Sequence, residues 1–174
     1  KMAGLRLKPS KCNILQRRVS FLGHVVTDEG ISTDPQKIQA VEEWPVPMCV
    51  RDVRAFIGLA SYYRRFVKGF AEIAAPLHGL VKKNARFKWD DEHQESFERL
   101  KRALVEAPIL VTPDDEHEYI LDTDASDVSM GAVLSLVIDG QEHVVAYFSR
   151  VFTNCQRNYC VTRRELLAVV TALK

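Results

Sequence analysis

The dipeptide Asp139-Gly140 constrains this chain more than any other single feature. It separates two apolar runs, residues 131–137 and 144–148. Asp-Gly tolerates the positive φ angles of a two-residue hairpin turn whose twist matches that of the strands it joins, so the two runs are expected to pair antiparallel. A third run, residues 118–123, is rich in Tyr, Ile, Leu and Thr and reads as a strand placed before them. Helical spacing begins at about Arg163. The order is strand, strand, strand, helix.

Two carboxylates stand at the ends of these elements. Asp124 closes the first strand, where Ala125 and Ser126 are small enough to leave room for a metal ion or a phosphate. Glu165 stands in the first turn of the helix. Hard cations on either side of a phosphate need carboxylate oxygens converging from different elements, and one strand Asp with one helix Glu supplies part of such a set. Asp122, two residues earlier on the same strand face, is the second choice, and Asp127 reads as a turn residue. A competing reading makes Thr162-Arg163-Arg164-Glu165 a capping box, with Glu165 bonded to the helix's own amides. Asp124 could likewise belong to a turn, because Asp-Ala-Ser-Asp is small and polar. Leu166, Val169, Val170 and Leu173 keep the spacing of a core face.

The segments Thr123-Asp124-Ala125-Ser126 and Arg164-Glu165-Leu166-Leu167, in this order of elements, resemble the first half of a type 1 ribonuclease H domain. The resemblance implies that Asp124 and Glu165 are catalytic metal ligands in the cleavage of the RNA strand of an RNA/DNA hybrid. Two ions, Mg²⁺ or Mn²⁺, are expected in the complete site. Upstream, Lys8-Pro9-Ser10-Lys11-Cys12, Phe21-Leu22-Gly23-His24-Val25-Val26 and Phe56-Ile57-Gly58-Leu59-Ala60-Ser61-Tyr62-Tyr63-Arg64-Arg65-Phe66 are similar to successive signatures of gypsy-type LTR retrotransposon Pol polyproteins, as is Asn158-Tyr159-Cys160-Val161-Thr162. This resemblance covers essentially the whole chain.

What it implies is an α/β (α+β) fold in four parts. Residues 1–47 would be the end of a reverse transcriptase palm with a primer-grip-like β-hairpin, and 48–89 a helical thumb. Residues 90–115 would be a connecting helix and extended linker, and 116–174 the first half of a ribonuclease H domain, three antiparallel strands of a truncated mixed sheet and then a helix. Phe21, Leu22, Gly23 and His24 would form the grip, and Arg54, Gly58 and Tyr62 would track the minor groove of a template-primer duplex. The expected partners are that duplex, an RNA/DNA hybrid and the remainder of the Pol polyprotein. The expected location is cytoplasmic retroelement particles, with the nucleus as the alternative. The family's third and fourth carboxylates would fall beyond Lys174, and no Tyr-x-Asp-Asp-like palm turn is present. This piece alone is therefore expected neither to polymerise nor to cleave efficiently. A non-catalytic, connection-like binding module and a domesticated remnant are the alternatives.

Residue patterns in the first half are compatible with these parts. Residues 19–27 and 30–33 flank Asp28-Glu29-Gly30, so a hairpin is expected, with Phe21 and Leu22 in an ordinary core as the competing reading. Trp44-Pro45-Val46-Pro47 should be extended. From Asp52 as N-cap, Val53, Phe56, Ile57, Ala60, Tyr63 and Val67 follow helical spacing. Gly58 interrupts them, either for helix packing or for approach to a groove. A second helix is expected from Asp91, capped by Asp91 and Gln94, with Phe97, Leu100 and Leu104 inward and Pro108 stopping it.

The formal net charge is only +1, but it hides an asymmetry. Residues 1–90 carry sixteen Lys and Arg against eight Asp and Glu, whereas residues 91–174 carry eight against fifteen. A basic half points to a polyanionic partner, and Arg64, Arg65, Lys68, Lys82, Lys83, Arg86 and Lys88 are candidate phosphate contacts. No apolar run is long enough to span a membrane, so no membrane partner is expected. The four cysteines show no Cys-x-x-Cys pair, which argues against a zinc ribbon.

Overall fold

The computed structural model describes residues 8, 12 and 15–174. Pro9, Ser10 and Lys11 of the first signature lie outside the described residues. Two three-stranded antiparallel sheets, β1-β2-β3 and β4-β5-β6, lie on either side of a helical unit in the sequence. Mixed α and β structure agrees with the expected fold class.

The first sheet is built from β1 (Arg18–Phe21), β2 (His24–Thr27) and β3 (Gly30–Thr33). The expected continuous strand over 19–27 is broken at Leu22-Gly23, where φ is +47° and +70°. Phe21 then pairs with His24 across a two-residue turn. Phe-Leu-Gly-His looks like uninterrupted strand because Leu is a poor left-handed residue, and that disguised the turn.

Helix α1 (Pro35–Glu42) is capped by Asp34, whose carboxylate accepts from the Gln36 amide at 3.0 Å. Helix α2 (Val50–Tyr62) begins three residues before the expected start, with Cys49 rather than Asp52 at the cap. Asp52 sits in its first turn and accepts from the Met48 amide. The expected face is nonetheless correct, since Val53, Phe56, Ile57, Ala60, Tyr63 and Val67 are all buried. A 3-10 turn (Arg64–Phe66) and two short helices, α3 (Phe70–Ile73) and α4 (Ala75–Leu80), lead to α5 (Asp91–Val105). The cap of α5 is Asp90, one residue earlier than expected, because its carboxylate accepts from both the amide and the ring of His93. Phe97, Leu100 and Leu104 are fully buried in one core with α2, and Phe56 and Phe97 meet at 4.6 Å between centroids.

The second sheet comprises β4 (Glu118–Ala125), β5 (Ser129–Ile138) and β6 (Gln141–Val151). Each contains its expected run. Asp139 and Gly140 turn between β5 and β6 with φ of +52° and +75°. One register shift at Leu134/Ser135 leaves Val145 as an extra residue on β6. After α6 (Asn154–Arg157), α7 (Val161–Ala172) packs on β4 and β5.

The expected core face of α7 is not its buried face. Leu166 and Leu173 are 62% and 71% exposed and Val170 is exposed too, while Ala168 is buried and Leu167 packs beside Met130 and Phe152. Arg164 fixes this rotation. Its guanidinium donates to the Ser126 carbonyl at 3.0 Å and to Asp127 at 2.5 Å, so Arg164, Leu167 and Ala168, at i, i+3 and i+4, turn toward the sheet. In thermal or urea denaturation, Leu166→Gln is expected to shift stability by less than about 0.5 kcal/mol, as for a surface position. Ala168→Leu should cost about 2 kcal/mol by overpacking. Equal costs for the two would contradict this orientation.

Candidate active site and nucleic-acid surface

Asp124 belongs to the strand and not to the turn. It pairs with Gly131 of β5, and the turn that follows is organised by Ser126, whose hydroxyl accepts from the Val128 and Ser129 amides at 3.2 and 3.0 Å. Asp127 is the turn residue expected, with the added ion pair to Arg164. Asp124 is exposed, and one of its oxygens accepts from the Ala125 amide at 2.8 Å. The neighbour across the ladder is a glycine, so no side chain shields the carboxylate from that side.

The capping alternative for Glu165 does not hold. Cys160 is the N-cap of α7, and Thr162 and Glu165 both lie within the helix, where no side-chain cap bond is made. A capping box does occur nearby, between Thr153 and Gln156 at the start of α6. Glu165 is left as an exposed carboxylate directly after Arg164, the residue that ties α7 to the β4–β5 turn.

A cavity of about 300 Å³ opens beside Asp124. Asp122 and Asp124 line it from β4, Met130 and Gly131 from β5, and Lys68 and Glu72 from the helical unit. Glu165 is not among its lining residues. Glu72 was not singled out by sequence reasoning; it accepts from the Ser129 hydroxyl at 3.1 Å, a contact between residues far apart in the chain that no local pattern announces. Among the described residues no group of three or more His, Cys, Asp or Glu side chains converges as a metal cluster.

The basic half is used differently from the expectation. Arg64 donates to the Ser149 carbonyl at 2.5 Å and lies over the Phe70 ring, and Arg65 donates to the Val145 carbonyl at 3.4 Å. These guanidinia join the helical unit to β6, the second through the carbonyl of the bulge residue. Ala71 donates from its backbone to the Ser149 hydroxyl at the same junction. Lys68 is exposed at the cavity and makes no ion pair among the described residues. On α2, Arg54, Gly58 and Tyr62 do form one exposed stripe, and a methyl group at Gly58 would meet nothing within 4 Å. Packing among the described residues therefore does not explain Gly58.

At the first hairpin, Phe21 and Leu22 are 63% and 70% exposed, which removes the reading that places them in a core. His24 is stacked between Tyr62 and Phe66, at 5.2 and 5.6 Å between centroids, and meets Tyr63 edge-on. Burial, and then the charge of Arg65, holds its imidazole below the ordinary range.

A strand with Asp124 one residue before its end, two further antiparallel strands and a helix bearing Glu165 agree with the element order expected of a ribonuclease H-like domain. Residues 89–174, just under half of the chain, match the family described as the RNase H-like domain found in reverse transcriptase. The chain's similarity to retrovirus-related Pol polyproteins extends over the whole length. It is 39% identical over 173 residues to the Pol polyprotein from transposon 297 of Drosophila melanogaster, which covers 99% of this chain and 16% of that relative. Against the transposon 412 Pol polyprotein of the same organism it is 40% identical over 169 residues, 97% of this chain and 14% of the relative. The Tf2-3 polyprotein of Schizosaccharomyces pombe is 34% identical over 175 residues, 100% of this chain and 13% of the relative. The chain thus spans a small part of these relatives.

Among solved structures, the foamy viral protease-reverse transcriptase in complex with RNA/DNA hybrid superposes with a TM-score of 0.81 at 26% identity, covering 94% of this chain and 22% of that one. The foamy viral protease-reverse transcriptase dRH in complex with double-stranded DNA gives 0.80 at 27% identity, covering 91% and 28%.

Proposed function

We propose that this chain is the part of a gypsy-type LTR retrotransposon Pol polyprotein that grips a template-primer duplex and supplies half of a ribonuclease H site. Residues 1–47 are the end of the palm, 48–89 the thumb, 90–115 the connection and 116–174 the first half of the nuclease domain. Asp124 and Glu165 are its contribution to hydrolysis of the RNA strand of an RNA/DNA hybrid. The supporting observation is the latch: Arg164 ties the start of α7 to the turn directly after Asp124, and among the described residues neither Asp124 nor Glu165 is engaged by another side chain. The relatives' Pol polyprotein names and the nucleic-acid complexes of the structural neighbours support the same reading.

The donors fit Mg²⁺ or Mn²⁺ in kind, because Asp122, Asp124 and Glu165 offer hard carboxylate oxygens. They fall short in number, since no three such groups converge among the described residues. Asp124 and Glu165 would hold the ions together with carboxylates supplied by the rest of the domain. When bound, such ions lower the pKa of the attacking water and stabilise charge on the scissile phosphate. The chain's own residues position these groups: the β4 ladder fixes Asp124, Arg164 fixes the helix that carries Glu165, and Lys68 offers a cation to phosphate. The site of action is the retroelement particle in the cytoplasm. No helix among the described residues is long and apolar enough to cross a membrane.

The test compares the 174-residue chain with the same chain extended through a complete nuclease domain, using a labelled RNA/DNA hybrid and Mg²⁺. The extended chain is expected to cut the RNA strand and the 174-residue chain to bind without cutting. Mg²⁺-dependent cleavage by the shorter chain would refute the half-site.

A further inference from the structure

We infer that Tyr62 and Tyr63 are positioning residues that hold the β1–β2 hairpin tip, so that Phe21 and Leu22 form a fixed apolar contact for a nucleic-acid duplex. The inference rests on the duplex-binding reading above and adds to it the residues that set the tip.

Two successive hydroxyls reach two successive carbonyls. Tyr62, the last residue of α2, donates to the Leu22 carbonyl, and Tyr63 donates to the Gly23 carbonyl at 2.7 Å. The Gly23 carbonyl also accepts from the Asp34 amide at 3.2 Å, so the turn is tied to the start of α1 as well. The approach is close: a methyl group added at Gly23 would stand 3.2 Å from the Tyr63 hydroxyl. Behind the tip, His24 fills the space between Tyr62 and Phe66. The hairpin end is therefore clamped to an aromatic cluster, in which Tyr63 and Phe66 are buried, rather than free in solvent.

Leu22 is the part of this arrangement that folding does not explain. A β-turn position with positive φ favours Asn or Gly, and a bulky L-residue there is strained. Burial does not compensate, because the Leu22 side chain is 70% exposed. Strain at an exposed, rigidly held residue is a signature of a functional contact. The partner's chemistry follows from the neighbourhood. Beside the tip lies the exposed α2 stripe of Arg54, Gly58 and Tyr62, a cation whose guanidinium also donates to the Val81 carbonyl at 3.5 Å, a gap and an aromatic ring. Apolar side chains against sugars, with a cation for phosphate, suit the minor groove of a duplex.

Binding of the 174-residue chain to a short labelled RNA/DNA hybrid, followed by fluorescence anisotropy, tests the inference together with melting temperature. Leu22→Asn is expected to raise the melting temperature and yet weaken hybrid binding about fivefold, opposite signs that a purely structural role would not produce. Tyr62→Phe with Tyr63→Phe should speed amide exchange at residues 22–24 and weaken binding by about the same factor. In a Phe21→Ala/Leu22→Ala background the tyrosine changes should have no further effect on affinity, because the tip they position is gone. Variants that bind the hybrid as tightly as the parent would overturn the inference and leave the duplex-binding reading intact. A parent chain that binds no hybrid would overturn both, and tip variants that instead impair capture of the remaining Pol segments would assign the tip to a protein contact.

Discussion

In the chain extended through a complete nuclease domain, Asp124→Asn and Glu165→Gln are each expected to lower Mg²⁺-dependent hydrolysis of an RNA/DNA hybrid by more than about a hundredfold. Loss of a residue that merely orients a metal ligand already costs about 10–100-fold, and a ligand itself is worth more. Both changes keep side-chain size and remove charge. Among the described residues neither carboxylate makes a bond that the fold needs: Asp124 accepts from the adjacent Ala125 amide, which Asn can also serve, and Glu165 is an exposed helix residue without a capping role. Melting temperature should therefore stay close to the parent's while rate collapses. Asp122→Asn is the informative companion, because Asp122 lines the same cavity as Asp124. A larger loss at Asp122 than at Asp124 would exchange their roles, and parental rates in Asp124→Asn and Glu165→Gln would refute the assignment.

The second large effect concerns stability. Gly30→Ala is expected to destabilise the chain by on the order of 3 kcal/mol, from forced repacking together with a backbone conformation that alanine resists. Gly30 has φ of +137°, and a methyl group there would come within 2.2 Å of the Leu110 carbonyl oxygen. That carbonyl accepts from the Ile31 amide at 2.7 Å, and the Leu110 amide returns a bond to the Ile31 carbonyl at 2.8 Å. The next residue, Val111, donates to Val144 of β6. Gly30 thus stands where one short extended segment joins both sheets, and neither side of the contact can retreat without losing a bond. Gly58→Ala is the contrasting control. Gly58 lies inside α2 with open space around it, so the helix should gain about 1 kcal/mol. Urea denaturation of both variants tests the contrast, and a Gly30→Ala shift below about 0.5 kcal/mol would contradict it.

Much of the fold could be read in the residues because it is local. The inward faces of α2 and α5 follow helical spacing, and the buried side chains were those the spacing selected. Asp139-Gly140 announced its hairpin by turn chemistry alone. The reading failed where a tertiary contact chose between two local options. On α7 both faces are apolar, and contacts across the fold, Arg164 to residues 126 and 127 and Leu167 and Ala168 against Met130 and Phe152, select the one that meets the sheet. Arg64 and Arg65 look like free cations in sequence, but carbonyls some eighty residues later engage both. At Leu22 the opposite occurred: a residue poorly suited to a turn hid one. Of the candidate site, the strand position of Asp124 was legible, whereas the facing wall of Lys68 and Glu72 was not, because it arises from packing between distant segments.

Under the proposed function, Asp124 and Glu165 bind the same divalent ion. Mn²⁺ titration of the 174-residue chain, followed by paramagnetic broadening of backbone amide resonances, tests that directly. Amides at residues 122–127 and 163–167 are expected to broaden together at the lowest Mn²⁺ additions, and Asp124→Asn is expected to remove the broadening from both segments. Broadening of one segment without the other, or of both in the Asp124→Asn variant, would contradict it.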